Sequence, residues 1–250
     1  MSSINKIQYK AEVNGLAVSA EYYEDDVNDI FYPLIKRLIV MQKEKNGRLV
    51  AYLAAPPGTG KTTLSQFLEY LSEDKVQALG LDGFHYSKAH VSKSYVTVGE
   101  QKVPMANVKG CPESFDKIKA MNKIEAITKG GDVKWPIYDR KIHDSVDDVV
   151  TVDNDIVLIE GNYLLLDEPI WRELANFCDY SVFVSAEEGN LQKRLMERKI
   201  AGGASPKDAR DFYFSSDCLN IKRVLNARLS SNLTLQLLND GKFMKITELD

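Results

Sequence analysis

The sequence predicts an α/β protein whose mostly parallel sheet is covered by helices on both faces. Four short apolar runs lack the alternation of a half-exposed strand, as strands buried on both faces do. These runs are residues 49–55, 76–81, 156–160 and 180–185. Segments with helical spacing lie between or after them, at residues 62–72, 113–128, 169–177 and 188–200. Because strands and helices alternate along the chain, we expect βαβ units.

The ends of the chain predict two small hairpins. Residues 7–22 alternate around Asn14-Gly15, a pair that favours a two-residue turn. The apolar residues that follow recur at helical spacing, which predicts a helix capped by Asp25 or Asp26 and stopped by Gly47. A second hairpin is expected near the end of the chain, across residues 239–241.

Composition narrows the class of protein. The chain has 250 residues, 44% of them hydrophobic and 27% charged, with a formal net charge of −4. These values are ordinary for a globular protein, and the absence of a long basic run disfavours nucleic acid as a main partner. Three cysteines without a CxxC pair indicate reduced thiols. With no apolar signal core and no spanning run, we expect a cytoplasmic protein without a membrane partner.

A glycine-rich loop follows the first buried strand and opens an amphipathic helix, the context that a phosphate-binding loop requires. Its residues are Pro57, Gly58, Thr59, Gly60, Lys61, Thr62 and Thr63. Backbone N–H groups and the positive end of the helix would surround a β-phosphate, Lys61 would neutralise phosphate oxygens, and Thr62 would ligate Mg²⁺. Ala55 stands where the usual pattern has glycine, and a glycine- and proline-rich turn with a chance lysine is the plain alternative. We expect bound ATP with Mg²⁺.

Two carboxylates follow at the predicted ends of other strands. Asp82 ends the second strand, where a carboxylate near the γ-phosphate can orient or deprotonate an attacking hydroxyl. Glu160 stands alone before Gly161, which suits one acid that reaches the metal through water and fits poorly to the Asp-Glu pair of AAA+ ATPases. Either carboxylate could instead be a turn or strand-end residue. A mechanical ATPase therefore remains a rival, and so does a non-catalytic nucleotide-binding module.

Six motifs in order extend the pattern over most of the chain, from about residue 49 to 226. They are "PPGTGKTT", "LDGFH", "KGCPESFD", "PIYDRKIHD", "VLIEGNYLLLD" and "RLMERKIAGG". Together they resemble the uridine kinase, pantothenate kinase and phosphoribulokinase group of P-loop kinases, most closely its bacterial fructose-transport-system-kinase-like branch. The resemblance implies a three-layer P-loop NTPase sandwich with a lid helix, and transfer of the ATP γ-phosphoryl group to a hydroxyl of a small molecule.

The resemblance also implies roles for single residues. Asp82 matches the catalytic carboxylate, Lys61 and Thr62 match the phosphate and metal ligands, and Glu160 matches the acid of the third motif. Arg194 and Arg198 lie four apart, hence on one helix face, and match the lid helix whose arginines close over ATP. A solvated helix face is the plain alternative for this pair.

The acceptor side is less specific. Residues 84–112 form a long polar insertion, which we expect to contribute to the acceptor pocket. The polar candidates for the acceptor pocket are His85, Lys109 and Arg140. His85 is equally well interpreted as a structural histidine. Arg140 suits hydroxyls or a negative group, or it pairs with a neighbouring aspartate, Asp139 or Asp144.

The "PIYDRKIHD" motif separates the branches of the family. Pantothenate kinases have Ser-His where this chain has Asp139-Arg140, which disfavours pantothenate. Uridine kinases share Tyr138, Asp139 and His143, but Ser145 replaces their following arginine. The Tyr-Asp-Arg form fits the fructose-transport-kinase-like branch best. A later motif, "SSDCLNIKRV", resembles one in which Asp217 and Asn220 face the acceptor.

The chain is interpreted as a single kinase domain over residues 1–250. Within it we distinguish an N-terminal hairpin extension at 1–24, the acceptor-site insertion at 84–112 and a lid region at 188–213. The partner is expected to be a sugar or nucleoside-like small molecule, with pantothenate and uridine as alternatives. The resemblance is compatible with a homodimer.

Overall fold

A computed structural model describes residues 5–13, 16–98 and 100–249. Its central sheet has the strand order β12-β11-β10-β3-β9-β4. The pairs from β11 to β4 are parallel, and the terminal pair β11–β12 is antiparallel. The strands of this sheet are β3 Leu49–Ala54, β4 Val76–Gly80, β9 Ile156–Gly161, β10 Tyr180–Ala186, β11 Leu233–Leu237 and β12 Phe243–Glu248. The predicted mostly parallel α/β sheet is confirmed.

The helices lie on both faces of this sheet. Their bounds are α1 Glu24–Asp26, α2 Tyr32–Lys45, α3 Lys61–Leu71, α4 Lys88–Val91, α5 Lys117–Thr128, α6 Glu188–Ala201, α7 Pro206–Phe212 and α8 Cys218–Asn226. A π-helical segment, Val27–Phe31, joins α1 to α2, and another, Tyr213–Asp217, joins α7 to α8. In the described ranges no helix is both long enough and apolar enough to cross a bilayer.

Strand β3 shows why the sheet strands lack alternation. Leu49, Ala51 and Leu53 pack into one apolar cluster, which includes residues of α2, α3 and α6. Val50 and Tyr52, on the opposite face, pack into a second cluster with α5. Both faces are buried, so apolar side chains are needed at every position. The result is a three-layer arrangement of helix, sheet and helix.

Two predicted helices differ from the structure. The segment predicted from residue 113 is a short 3₁₀ turn, Pro112–Ser114, and α5 begins only after Asp116. The Asp116 carboxylate accepts the Lys119 N–H at 3.0 Å, a side-chain cap that fixes the start of the helix. The segment predicted at residues 169–177 is a 3₁₀ helix, Trp171–Phe177, preceded by Ile170 at a φ of 72°.

The N-terminal hairpin is confirmed, with β1 Lys6–Val13 antiparallel to β2 Leu16–Tyr23. Its predicted Asn14-Gly15 turn lies outside the described residues. The expected cap of the next helix is wrong: the helix begins after Tyr23 without a side-chain cap, and the Asp26 carboxylate instead accepts the Phe243 N–H at 3.0 Å. The helix ends one residue before the expected glycine, at a left-handed Asn46.

The C-terminal hairpin is confirmed as well, but it is not a small addition. Its first strand, β11, pairs in parallel with β10 and so extends the central sheet. Tyr23 donates its hydroxyl to the Asp240 carbonyl at 3.2 Å, which ties the hairpin turn to the N-terminal segment. The two ends of the chain therefore meet on one side of the sheet.

The region after β4 contains two further antiparallel ribbons. Residues 84–112 include α4 and the pair β5 Tyr95–Val98 and β6 Gln101–Pro104. This insertion has an apolar cluster of its own, which the sequence analysis did not anticipate, formed by Val91, Val96, Met105, Val108 and Cys111. The second ribbon pairs β7 Val133–Asp139 with β8 Asp144–Val152, which places the "YDR" motif at its end.

Candidate active site

The candidate site lies where β3, β4 and β9 end. The three strands are parallel neighbours, so their carboxyl ends meet at one edge of the sheet. The phosphate loop follows β3 and Asp82 follows β4. Glu160 is the last residue but one of β9. Glu160 is paired in register with Leu53 and with Gly80. Residues that are about 80 positions apart in sequence are therefore adjacent.

The loop has the backbone that its glycines permit. Gly58 and Gly60 adopt φ angles of 91° and 87°, in the left-handed region that glycine tolerates. A Cβ at Gly58 would meet Leu195 at 3.0 Å, so α6 packs closely on the loop. Thr59 donates its hydroxyl to the Pro56 carbonyl at 3.0 Å. A hydrogen bond within the loop therefore contributes to its shape.

Ala55 is a tolerated departure from the usual glycine. Among the described residues with a positive φ, Ala55 is absent, so this position does not need glycine here. Its methyl group is fully buried in the apolar cluster beneath the loop. Ala55 therefore fills core space at the end of the strand.

Thr62 and Glu160 bring two oxygen ligands together. The Thr62 hydroxyl donates to Glu160 Oε1 at 2.9 Å. Glu160 is almost fully buried, and burial raises the pKa of its carboxyl to about 7 against the opposing effect of Lys61. In the described part of the chain no three His, Cys, Asp or Glu residues form a metal cluster. This set suits Mg²⁺, which takes most ligands from phosphates and water.

Asp82 lies in a 3₁₀ turn, Leu81–Phe84, at the end of β4. Burial opposes ionisation of its carboxyl, but neighbouring positive charges outweigh burial and hold its pKa below the ordinary value. In order of effect these neighbours are His85, Lys61, Arg140 and Arg198. Burial lowers the pKa of His85 itself, against the opposing effect of Asp82, so its ring is uncharged at neutral pH.

His85 is held on several sides. Its Nε2 lies 4.0 Å from Asp82 Oδ1, and its Nδ1 lies 3.3 Å from the Ser114 hydroxyl. Its ring packs on Phe115 at 3.8 Å between centroids and meets Tyr138 edge-on at 5.6 Å. The His85 ring is therefore packed among its neighbours, and its Nε2 atom lies on the side of Asp82.

Lys109, from the insertion, contacts the "YDR" motif at the end of β7. Lys109 Nζ donates to the Tyr138 hydroxyl at 2.9 Å and to the His143 carbonyl at 3.4 Å. The His143 side chain is exposed, and its backbone adopts a φ of 55°. His143 thus supplies a backbone carbonyl here, and its ring is not brought to Asp82.

Arg140 acts on the site rather than on its sequence neighbours. Within the described ranges it forms no ion pair with either aspartate considered in the sequence analysis. Asp139 accepts the Lys141 N–H at 2.7 Å, and Asp144 accepts the Lys88 N–H at 3.0 Å. The Arg140 charge favours ionisation of Asp82, after the larger effects of His85 and Lys61.

The two arginines of α6 face different parts of the cleft. Arg194 Nη2 donates to the Thr59 carbonyl at 3.4 Å, on the phosphate loop. Arg198 interacts electrostatically with Arg140, Asp217 and Asp82. Both residues are exposed to solvent. Arg194 therefore contacts the phosphate loop, and the role of the pair over ATP stays a prediction.

Asp217 is the last residue of the π-helical segment that precedes α8, and Asn220 lies on α8. Burial raises the pKa of Asp217, although Arg198 and Lys199 oppose the shift. Asn220 is buried, and its amide nitrogen lies near Gly110 of the insertion. The first residue therefore meets the lid helix, and the second meets the insertion.

Sequence reasoning missed several residues of the site. Tyr163 donates its hydroxyl to the Gly110 carbonyl and anchors the insertion beside the cleft. Arg223 of α8 forms ion pairs with both Glu113, which directly follows the insertion, and Glu168. These residues come from segments far apart in sequence, and no local spacing could have grouped them.

The chain is similar in sequence and fold to proteins of a known family. A model described as the phosphoribulokinase and uridine kinase family matches residues 50–205. The uncharacterized Escherichia coli K12 protein YggC is 38% identical over 92% of this chain and 96% of its own length. A Schizosaccharomyces pombe protein whose name proposes a uridine kinase is 26% identical, over 82% and 89% of the two chains. A crystal structure from Silicibacter sp. TM1040, proposed to be a fructose transport system kinase, is 26% identical with a TM-score of 0.71, over 82% and 98%.

Proposed function

The chain belongs to the phosphoribulokinase and uridine kinase family of P-loop kinases, and we propose that it transfers the γ-phosphoryl group of ATP to a hydroxyl of a sugar or nucleoside-like small molecule. The observation that carries this proposal is the position of Asp82. Asp82 follows β4 at the sheet edge where β3 leads into the loop and β9 ends at Glu160, and neighbouring positive charges, including that of Lys61, favour its ionised form. That is where an acceptor hydroxyl would meet the transferred group.

The donor half would hold the triphosphate. The N–H groups at the start of α3 and the glycines before it form a cradle for phosphate oxygens. Lys61 would neutralise charge on the β- and γ-oxygens, and Thr62, with Glu160 through water, would hold Mg²⁺. The metal, when bound, supplies further neutralisation of phosphate charge.

The acceptor half would position and deprotonate the hydroxyl. Because its pKa is held low, Asp82 is an ionised hydrogen-bond acceptor at neutral pH. It would orient the hydroxyl in line with the phosphorus and accept its proton as the new bond forms. The neutral His85, next to it, would fix the carboxylate or a neighbouring acceptor hydroxyl.

Arg140, Arg198 and Lys61 would stabilise the charge on the transferring group. The charge of each favours the ionised form of Asp82, and Lys61 and Asp82 follow β3 and β4, which end at the same edge of the sheet. Cations already in place where charge develops lower the barrier without the cost of reorganisation. Arg198 lies on α6, in the predicted lid region, and closure of that region would bring it nearer.

The acceptor class is supported by the polar lining. Lys109, Tyr138 and Arg140 offer donors suited to several hydroxyls or to an anionic substituent. A cavity of about 250 Å³ is lined in part by Glu113, Asn220 and Arg223, and also by Val108, the neighbour of Lys109 in sequence. It would receive the rest of the acceptor. The sugar interpretation also follows the description of the Silicibacter structure.

The experiment is an acceptor screen. Purified protein is mixed with ATP, Mg²⁺ and a panel of ketoses, aldoses, nucleosides and pantothenate, and ADP release is measured. We expect one acceptor class to stimulate ADP release well above the rate without acceptor, and we expect Asp82→Asn to abolish that stimulation. Equal ADP release with every compound and with none would contradict the kinase proposal. Stimulation that persists in Asp82→Asn would contradict the role of Asp82.

A further inference from the structure

Ser114 is a fully buried serine whose hydroxyl contacts the ring of His85. It ends the short 3₁₀ turn Pro112–Ser114, which directly follows the insertion. Three groups surround its oxygen: the Cys111 carbonyl at 2.7 Å, the Gly110 N–H at 3.1 Å and His85 Nδ1 at 3.3 Å. Ser114 takes no part in the transfer proposed above, but its single hydroxyl proton decides which nitrogen of His85 carries hydrogen.

The shortest contact of Ser114 fixes that proton. Two oxygens 2.7 Å apart need a hydrogen between them, and the Cys111 carbonyl has none to give. The hydroxyl proton of Ser114 therefore points at Cys111. The serine oxygen keeps two lone pairs, and one of them accepts the Gly110 N–H. The other lone pair faces His85 Nδ1.

The remaining lone pair of Ser114 selects the tautomer of His85. A neutral imidazole has one protonated nitrogen, and an unprotonated Nδ1 would bring two lone pairs together at 3.3 Å. Hydrogen on Nδ1 turns the same contact into a hydrogen bond. Asp82 does not compete, because 4.0 Å from Nε2 to Oδ1 is too long for a hydrogen bond. Burial lowers the pKa of the ring against the opposing effect of Asp82, so the ring is neutral and Nε2 is unprotonated at neutral pH.

Packing holds the ring in this orientation. It lies on Phe115 at 3.8 Å between centroids and meets Tyr138 edge-on at 5.6 Å. The backbone is fixed as well, because the Ser145 hydroxyl donates to the His85 carbonyl at 2.7 Å. Nε2 is therefore held on the side of Asp82. Two hydrogen-bond acceptors, a carboxylate oxygen and an unprotonated nitrogen, lie 4.0 Å apart.

We propose that Ser114 is a positioning residue that holds His85 as the Nδ1–H tautomer, so that Nε2 binds a second hydroxyl of the acceptor while Asp82 binds the reacting one. Two adjacent acceptors call for two adjacent donors, which hydroxyls on neighbouring carbons supply. This favours a sugar or another polyol over the 5′-hydroxyl of a nucleoside, because the carbon next to that hydroxyl bears the ring oxygen. The second hydroxyl deepens the proposed function and rests on it, whereas the tautomer does not.

The tautomer is measured by NMR on protein labelled with ¹⁵N-histidine. The chain has three histidines, His85, His90 and His143, and the signals lost in His85→Asn are those of His85. We expect a protonated Nδ1 and an unprotonated Nε2 for His85 in the wild type at neutral pH. The opposite pattern, or a ring protonated on both nitrogens, would overturn the inference. The measurement needs neither ligand nor turnover, so its outcome is independent of the proposed function.

Variants of the serine test its role. Ser114→Ala removes the oxygen that selects the tautomer, and Ser114→Thr retains a hydroxyl. Ser145→Ala is the matched control, because the Ser145 hydroxyl binds the backbone of His85 rather than its ring. We expect only Ser114→Ala to shift the His85 signals toward the Nε2–H tautomer. Unchanged signals in folded Ser114→Ala would overturn the role of Ser114. If this variant does not fold, the wild-type signals decide alone.

The second hydroxyl is tested with the acceptor that stimulates ADP release most. Its analogue without the hydroxyl next to the reacting one is compared with it by kcat/KM. We expect a loss of about tenfold in the wild type and a much smaller loss in His85→Asn, which keeps a donor for Ser114 but lacks Nε2. Equal kcat/KM for both compounds in the wild type would overturn the inference and leave the kinase proposal intact. A screen in which no compound raises ADP release would contradict the proposed function, and the second hydroxyl with it.

Discussion

The two halves of the cleft are built in different ways. The donor half is a continuous loop and helix start, residues 55–63, shaped by local bonds such as the one from Thr59 to Pro56. The acceptor half is assembled from the turn after β4, the insertion, the β7–β8 ribbon and α8. Within it Arg223 pairs with Glu113 and Glu168, which come from two other segments. Under the proposed function, phosphate binding depends on a local stretch of the chain, and acceptor recognition depends on the whole fold.

The largest expected effect is the loss of kcat in Asp82→Asn, which would change the acceptor half and leave the donor half intact. Asp82→Asn keeps the shape of the side chain but removes the carboxylate that would take the proton. We expect kcat to fall by roughly 10²–10⁴-fold, with the Kd of ATP unchanged. Single-turnover assays with the best acceptor and titration with ATP measure the two quantities. An ATP affinity that falls in step with kcat would show that the halves are not separable.

Lys61→Ala tests the donor half. Loss of the ammonium group removes a fixed positive charge from the phosphate site, and we expect kcat to fall by on the order of 10²–10³-fold. Lys75→Ala is the control, because that lysine is exposed and pairs only loosely with Glu73, at 3.9 Å. Binding of the acceptor in the absence of ATP should be unchanged in both variants. A loss of acceptor binding in Lys61→Ala would contradict the division.

Arg140→Ala tests whether Arg140 contributes to acceptor binding. A hydrogen bond from a charged group contributes about 1.5–3 kcal/mol, so we expect kcat/KM for the acceptor to fall roughly ten- to hundredfold while the Kd of ATP stays the same. Lys141→Ala is the matched control. Its ammonium group lies 3.6 Å from Glu12, on the outside of the molecule. If both variants behave alike, Arg140 has no particular role.

The smallest effect concerns stability. Arg223→Met removes the cation between Glu113 and Glu168, and we expect the free energy of unfolding to fall by about 1–2 kcal/mol, because the cluster is partly exposed. Urea unfolding followed by circular dichroism measures this. Lys129→Met, which breaks an exposed pair with Glu125, is the control and should change stability by less than about 0.5 kcal/mol.

The same variant has a pH signature. Burial opposes ionisation of Glu113, but Arg223 outweighs it and holds the pKa of Glu113 below its ordinary value of 4.5. Glu113 therefore contributes stability above that pH, and the contribution is lost as the pH falls through the lowered pKa. Arg223→Met should flatten this part of the pH profile. An unchanged profile would show that another carboxylate dominates acid unfolding.

The sheet and the loop were predictable because their signals are local. A strand buried on both faces must be apolar throughout, as β3 is, and a phosphate loop needs Gly58, Gly60 and Lys61 at fixed spacing. The helix ends were less predictable. Asp26 resembles a cap in sequence, but the bond that it makes is to Phe243, more than 200 residues away. The 3₁₀ segment Trp171–Phe177 has an apolar spacing that also fits an α-helix.

By itself, the sequence determined the α/β class, the mostly parallel sheet, the phosphate loop and membership of a kinase family, since these rest on short-range patterns. Only the tertiary structure decided what surrounds them. It paired Arg223 with Glu113 and Glu168, joined Tyr163 to Gly110 of the insertion, and brought the N-terminal hairpin and the C-terminal turn together beside the loop. Such contacts join segments far apart in sequence, and they depend on packing that no local spacing encodes.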